Sequence, residues 1–345
     1  MIISRTPFRV SLFGGGTDYP SWYQENGGAV LGFAINRYCY ITLRNLPPFF
    51  NYKHRIVYSR VETVSEVSEI EHPSVRAVLS EMDFHHQGLE IHHDGDLPAR
   101  SGLGSSSAFT VGLLNALSAL RGQMMSKQGL ACEAIRIEQN VIKENVGSQD
   151  QIWAAYGGLN RIDFNQHGFR VAPVIVPEQR SRELLDHLVL YFTGFQRLAN
   201  EVAKKKLESF AAKRAHLERM RATVDDAATI LSNRNRPITE IGELLHEAWL
   251  LKRDLSSVVS NNAIDEIYNV GRSAGAIGGK LLGAGSGGFF LFFIAPERRA
   301  ALRAALHNLV EVEIDVDRDG SSIVLFEPNG FDRGYSRLKP VTNVA

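Results

Sequence analysis

Residues Ile2–Phe13 alternate between apolar and polar positions as an extended strand does, and Gly14, Gly15 and Gly16 then interrupt the pattern. Residues 29–43 and 55–64 are rich in Val, Ile, Tyr and Thr and predict two more strands. The spacing then predicts a helix over 73–82, a strand over 89–93, and an apolar helix over 106–120 behind a loop of glycines and serines. An amphipathic helix is expected over 127–144, a loop over 145–151, and another strand after Gly157 and Gly158. Beyond about Arg180 the texture changes. Long helical patterns cover 198–233, 238–256 and 263–274, and strands recur at 289–294, 312–316 and 323–326. A sheet-rich first part and a mixed second part read as an α+β chain of two domains, 1–180 and 181–345, with a loosely held tail after Asp332.

Composition narrows the function without deciding it. The chain has 345 residues, more than the roughly 250–300 that one hydrophobic core organises, so a cleft between two domains is expected. Its 38 basic residues balance 38 acidic ones, which removes the electrostatic case for a nucleic-acid or anionic-membrane partner and favours small-molecule chemistry. Cys39 and Cys132 suggest neither a disulfide framework nor a zinc site, as expected of a reducing cytoplasm. The start lacks the apolar stretch of a signal peptide, and the most apolar run, 281–295, falls short of the roughly 20 residues that span a bilayer. No membrane segment is expected.

The segment Leu97-Pro98-Ala99-Arg100-Ser101-Gly102-Leu103-Gly104-Ser105-Ser106-Ser107-Ala108 sets glycines and serines directly ahead of a helix. Backbone amides at Gly102 and Gly104 can approach an anion without a Cβ in the way, and the helix terminus adds further donors and a positive dipole end. A serine-rich helix cap is the plainer alternative. A common P-loop is excluded, because Gly279-Lys280 is followed by Leu281. Residues 283–288 satisfy GxGxxG and nearly the serine-hydrolase elbow, yet a strand pattern follows where both motifs need a helix. A glycine-rich turn beneath the serine loop fits better, with a hydrolase built on Ser286 as the remaining alternative.

Glu138 shares its helix face with Ala134, Ile135, Val141 and Ile142, so its carboxylate requires a partner. A Mg²⁺ ion held with the Ser107 hydroxyl would supply one, Ser106 being a step away; solvent or an arginine would serve a stripe-edge glutamate equally. Asp150, in Gly147-Ser148-Gln149-Asp150-Gln151, could by itself be a helix cap. His85, His86, His92 and His93 have no metal-ligand spacing.

Three segments in order carry a family resemblance. Pro7-Phe8-Arg9-Val10-Ser11-Leu12-Phe13-Gly14 with Thr17-Asp18-Tyr19, the serine loop, and Lys280-Leu281-Leu282-Gly283-Ala284-Gly285-Ser286-Gly287-Gly288-Phe289 resemble the three motifs of the galactokinase, homoserine kinase, mevalonate kinase and phosphomevalonate kinase (GHMP) superfamily. The resemblance implies an N-terminal domain like ribosomal protein S5 domain 2, a ferredoxin-like C-terminal domain, and an active site between them. It further implies ATP held by Pro98, Arg100, Ser101, Gly102, Leu103, Gly104, Ser105, Ser106 and Ser107 with Gly285 and Ser286, Mg²⁺ on Ser107 and Glu138, Asp150 as acceptor of the substrate hydroxyl proton, and Arg9 beside it. Gly15, Gly16, Thr17, Asp18 and Tyr19 would contact the substrate.

Sugar kinases of the family end the first motif in Gly-Glu-His-Thr-Asp-Tyr, whereas here Gly14-Gly15-Gly16 precede Thr17-Asp18-Tyr19. Losing an anionic side chain makes room for a larger or phosphorylated sugar. This string, with Gly27-Gly28-Ala29-Val30, Tyr191-Phe192-Thr193-Gly194 and Arg197, resembles D-glycero-D-manno-heptose 7-phosphate kinases. That implies transfer to the anomeric hydroxyl, giving heptose 1,7-bisphosphate for nucleotide-activated heptose and surface polysaccharide. Gly194 and Arg197 would then meet the substrate, Arg197 gripping its phosphate with Lys53, Arg55 and Arg60 in reserve, although any of these cations could be plain surface charge. A fucokinase-like sugar 1-kinase is the alternative within the family. A non-catalytic sugar or nucleotide sensor is the alternative of another class, and a homodimer stays open.

Overall fold

The computed structural model describes residues 1–194 and 210–328. Its first part runs β1 (Ile2–Phe13), α1 (Pro20–Asn26), β2 (Gly28–Asn45), β3 (His54–Val57), β4 (Val61–Val64), α2 (Pro73–Glu81), β5 (Leu89–Gly95), α3 (Ser105–Leu120), α4 (Lys127–Arg136), α5 (Gln149–Tyr156), β6 (Leu159–Asn165) and β7 (Gly168–Pro173). The second runs α6 (Glu178–His187), β8 (Leu188–Phe192), α7 (Arg214–Ser232), α8 (Thr239–Asp254), α9 (Asn262–Ser273), β9 (Gly278–Leu281), β10 (Phe289–Phe293), α10 (Arg299–Ala305), β11 (Val310–Val312) and β12 (Ser322–Phe326).

An eight-stranded sheet carries the first part, in the order β12-β1-β2-β5-β3-β4, with β6 and β7 attached alongside β2. The long β2 makes this possible. Its first half, Gly28 to Phe33, pairs with β6 and its second half, Cys39 to Asn45, with β5, while β1 lines its opposite edge throughout. Against the sheet lies α3, apolar all round and buried from Ser107 to Ala119. Gly112 brings it within reach of β1: a Cβ there would stand 2.8 Å from Thr6 Oγ1. The second part is a four-stranded antiparallel sheet in the order β11-β8-β10-β9, the ferredoxin-like arrangement expected.

The two parts share a core. Along β10 the residues Phe289, Leu291 and Phe293 join the cluster that runs through the first sheet, while Phe290 and Phe292 pack with Trp249 and Tyr268 on the other face. A strand covered on both faces reads as a continuous apolar run, which is why FFLFF shows no alternation.

Several expectations are corrected. Residues 55–64 form the hairpin β3–β4, turned where the Tyr58 amide donates to the Arg60 carbonyl, rather than one strand. The helix expected over 127–144 is α-helical only to Arg136; a π-helical turn, Ile137–Val141, follows, and Lys143 ends it at φ 62°. The division at 180 and 181 is not clean, because β12 returns to pair with β1 in the first sheet. The beginning of the predicted helix 198–233 and the tail after Asp332 lie outside the described residues.

Candidate active site

Where the two sheets meet, a cavity of about 340 Å³ opens between the serine loop, the end of β1, the start of α5 and the glycine-rich turn after β9. The loop enters it in left-handed backbone, with Arg100 at φ 58°, Gly102 at φ 83° and Gly104 at φ 76°. Gly104 is the N-cap of α3, so the unbonded amides of that helix and its positive dipole end face the cavity together with Ser105, Ser106 and Ser107. From below, the turn at 283–288 supports the loop in close backbone contact. A Cβ on Gly288 would lie 2.1 Å from the Ser101 carbonyl oxygen, and the Phe289 amide donates to that same oxygen at 3.1 Å. The strand–turn–strand context disposes of the hydrolase elbow.

Among the carboxylates in or under this cavity, Asp150 and Glu138 stand in the most different settings. Asp150 lies in the first turn of α5, not in a loop, and Arg9 from β1 grips it with two hydrogen bonds: Nε donates to Oδ1 at 2.8 Å and the terminal guanidinium nitrogen to Oδ2 at 2.7 Å. The remaining guanidinium nitrogen donates to the Gly102 carbonyl, and the Arg9 amide to the Leu103 carbonyl at 3.0 Å. One arginine thereby ties β1, the serine loop and the carboxylate into a fixed unit.

Glu138 projects from the π-turn and is fully buried. Ser107 donates to its Oε2 at 2.9 Å and Gln151 donates to the same oxygen, while Oε1 has no hydrogen-bond partner among the described residues. Burial pushes its pKa up to about 7 against the lowering effect of Gln151 and Ser107. An orphaned, buried carboxylate oxygen beside a hydroxyl fits a divalent cation whose shell is completed by phosphate oxygens. No cluster of three acidic, histidine or cysteine ligands occurs among the described residues.

The end of the first motif closes the other side. Asp18 is buried, accepts the Gly16 amide at 2.8 Å, and packs so tightly on Gly147 that a Cβ there would fall 1.8 Å from its Oδ2. Tyr19 lines the cavity, its hydroxyl pKa raised by burial first and by Asp18 and Asp150 next.

Other expected contacts point elsewhere. The Thr17 hydroxyl serves the turn, within 2.9 Å of both the Gly14 and Ala29 carbonyls, and Ser286 turns inward to donate to the Val258 carbonyl. Pro98, Ser101, Leu103, Gly194, Gly285 and Ser286 do not line the cavity, and Arg197 lies outside the described residues. Lys53, Arg55 and Arg60 sit on Glu66, Glu90 and Glu71, away from it.

The cavity also uses Ser11, Gln149, Glu144, Asn145, Lys252 and Lys280, none of them singled out from the sequence. Lys252 carried a readable signal. It follows Ala248 and Trp249 on the apolar face of α8, the same anomaly that marked Glu138, and its ammonium donates to the Leu281 and Gly283 carbonyls at 2.6 and 2.7 Å. Lys280 donates to the Leu12 carbonyl at 2.8 Å.

With this geometry in place, comparison with known proteins decides the family. Residues 70–158 match the GHMP kinases N terminal domain and residues 230–311 the GHMP kinases C terminal domain. The chain is a GHMP kinase. It is 29% identical to a D-glycero-alpha-D-manno-heptose 7-phosphate kinase of Campylobacter jejuni, over 89% of this chain and 93% of the relative. To a bifunctional fucokinase/GDP-fucose pyrophosphorylase of Arabidopsis thaliana it is 26% identical over 90% of its own length, which spans only 31% of that protein. The crystal structure of a D-glycero-D-manno-heptose 1-phosphate kinase from Bacteroides thetaiotaomicron superposes with a TM-score of 0.74 at 24% identity, covering 94% of this chain and 98% of the other. At that identity the likeness speaks for the GHMP fold. As a GHMP kinase of the sugar-kinase kind, the chain is a phosphotransferase with an alcohol acceptor. No described helix is long and apolar enough to cross a membrane.

Proposed function

We propose that this GHMP kinase transfers the γ-phosphate of ATP to the anomeric hydroxyl of D-glycero-D-manno-heptose 7-phosphate, releasing ADP and heptose 1,7-bisphosphate for nucleotide-activated heptose synthesis. The observation that carries the reading is the match to a heptose 7-phosphate kinase along 89% of the chain. The glycines at 14–16, two of which line the cavity, support it by leaving space where a carboxylate and an imidazole would crowd a phosphorylated sugar.

In this reading the amides around Gly102 and Gly104 and the N-terminus of α3 hold the ATP phosphates. Ser107 and Glu138 would hold Mg²⁺, which when bound neutralises charge on the phosphates. Asp18 and Tyr19 contact the sugar. Asp150 receives the proton of the anomeric hydroxyl as its oxygen bonds to the γ-phosphorus and the bond to the ADP oxygen breaks. Arg9 aims the carboxylate through its paired bonds and places fixed positive charge beside the group in flight. Gly15, Gly16 and the cations Lys252 and Lys280 complete the walls around donor and acceptor.

A fucokinase-like sugar 1-kinase is the second reading, favoured by similarity to the fucokinases of Arabidopsis thaliana and Bacteroides fragilis. A coupled ADP-release assay with Mg²⁺ and ATP, run across heptose 7-phosphate, heptose, fucose, galactose and mannose, separates the readings. Heptose 7-phosphate is expected to give the highest kcat/KM, by about tenfold or more over unphosphorylated heptose, the scale of a lost charge-assisted contact. Fastest turnover of fucose would replace this reading with the second. Absence of ADP release with every sugar would point to a non-catalytic sensor.

A further inference from the structure

Strand β1 holds two consecutive residues of α5. Arg9 and Ser11, two apart and therefore on one face of the strand, reach the first turn of the helix together. Arg9 takes Asp150, and Ser11 takes Gln149: its hydroxyl donates to Gln149 Oε1 at 2.8 Å. A carboxamide has an accepting end and a donating end, so occupying the oxygen decides which end is presented. The Nε2 end lies beside Gly15, 3.7 Å from where a Cβ on that glycine would stand, in the wall of the cavity. Next to an acceptor, Asp150, the cavity therefore presents an oriented donor.

A hydroxyl about to be phosphorylated at an anomeric carbon has acceptor oxygens close by, the ring oxygen on the same carbon and the C2 hydroxyl on the next. We infer that the Gln149 carboxamide donates to one of these neighbouring oxygens of the acceptor sugar, with Ser11 as the positioning residue that keeps the amide in that sense. The inference rests on the reading of Asp150 as the group facing the reacting hydroxyl. Gln149 would thus help to decide which hydroxyl meets Asp150, a task the carboxylate alone, as acceptor only, performs poorly.

The test compares Gln149→Met, which keeps the length and removes the donor, Gln149→Glu, which replaces the donor by an acceptor, and Ser11→Ala. Both Gln149 variants are expected to lower kcat/KM for heptose 7-phosphate by about 10- to 100-fold, the scale of a polar contact left unmade in a closed site, with Glu the worse, while the Kd for ATP stays within about twofold. Ser11→Ala is expected to lose about three- to tenfold alone and nothing further in the Gln149→Met background, since it acts only through the amide. The double variant also separates this role from a structural one, because loss of folding would accumulate and would move ATP affinity too. Wild-type kcat/KM in Gln149→Met, or equal losses for sugar and ATP, would overturn the inference. Full turnover by Asp150→Asn would instead remove the reading beneath it, so the two failures are distinguishable.

Discussion

Asp150 and Glu138 are both carboxylates on or beside a helix within the same half of the molecule, and they are built for opposite tasks. The Asp150 side chain is 24% exposed, faces the cleft, and is held by a guanidinium in two short bonds. Glu138 is fully buried and held by neutral donors alone, a hydroxyl and a carboxamide, with one oxygen orphaned and its pKa pushed up to about 7 by burial. A carboxylate with a fixed cation is aimed and ready to act on what enters the cleft. One buried among neutral groups lacks a positive charge that something from outside must bring. The contrast supports the roles proposed above, Asp150 at the acceptor hydroxyl and Glu138 with a cation arriving with the nucleotide.

Removing each charge in turn breaks the contrast where it is sharpest. Asp150→Asn should lower kcat by at least about a hundredfold, the scale of a lost general base, when steady-state rates are followed with saturating ATP and sugar. Glu138→Gln should cost less, about tenfold in kcat/KM for Mg²⁺ with ATP, and should act on stability in the other direction. With its pKa raised in the folded state, Glu138 favours folding at low pH, and that contribution is lost as pH rises from about 4.5, the ordinary glutamate value, through about 7. Metal-free protein should therefore melt lower at pH 8 than this group would allow at pH 5, and Glu138→Gln should flatten that slope in thermal melts. A slope unchanged in the variant would mean that the buried carboxylate is not its source.

Two glycine substitutions sharpen the same comparison by disturbing surroundings rather than charge. Gly104→Val forces a β-branched residue into left-handed backbone, at a cost of about 1–2 kcal/mol, and sets its Cβ 3.2 Å from Arg9 Cγ and 3.4 Å from Asp150 Oδ2. ATP affinity by titration should fall by about fivefold, about 1 kcal/mol, as the loop shifts. Gly147→Ala should have the smallest effect. It displaces Asp18, so the KM for sugar should rise about threefold with kcat nearly intact, a fraction of a kcal/mol.

How much of this was legible in the sequence depended on the range of the interactions involved. The alternation of β1, the glycines at 102 and 104 and the order of the three motifs are local signals, and they located the cleft. Glu138 was readable because a charge in an apolar stripe is anomalous, and Lys252 on α8 carried the same signal. Asp150 read as a loop residue or at most a helix cap, because Gly147 and the polar residues 148–151 resemble a loop until Trp153, Ala154 and Ala155 are seen to pack. The short α1, with Pro20 first and Gly27 at φ 67° capping its end, was equally inconspicuous. Side-chain direction inside turns is not written locally either: Thr17 and Ser286 sit in the expected motifs yet spend their hydroxyls on carbonyls. Nor does strand partnership announce itself across 320 or so residues, which is why β12 was assigned to the wrong sheet.

The most direct measurement is single-turnover phosphoryl transfer from ATP to heptose 7-phosphate by wild type and Asp150→Asn, with the nucleotide Kd titrated on the same samples. The variant is expected to bind ATP within about threefold of wild type while transfer slows by at least about a hundredfold. Transfer at the wild-type rate, or ATP binding lost along with transfer, would remove Asp150 from its role at the acceptor hydroxyl.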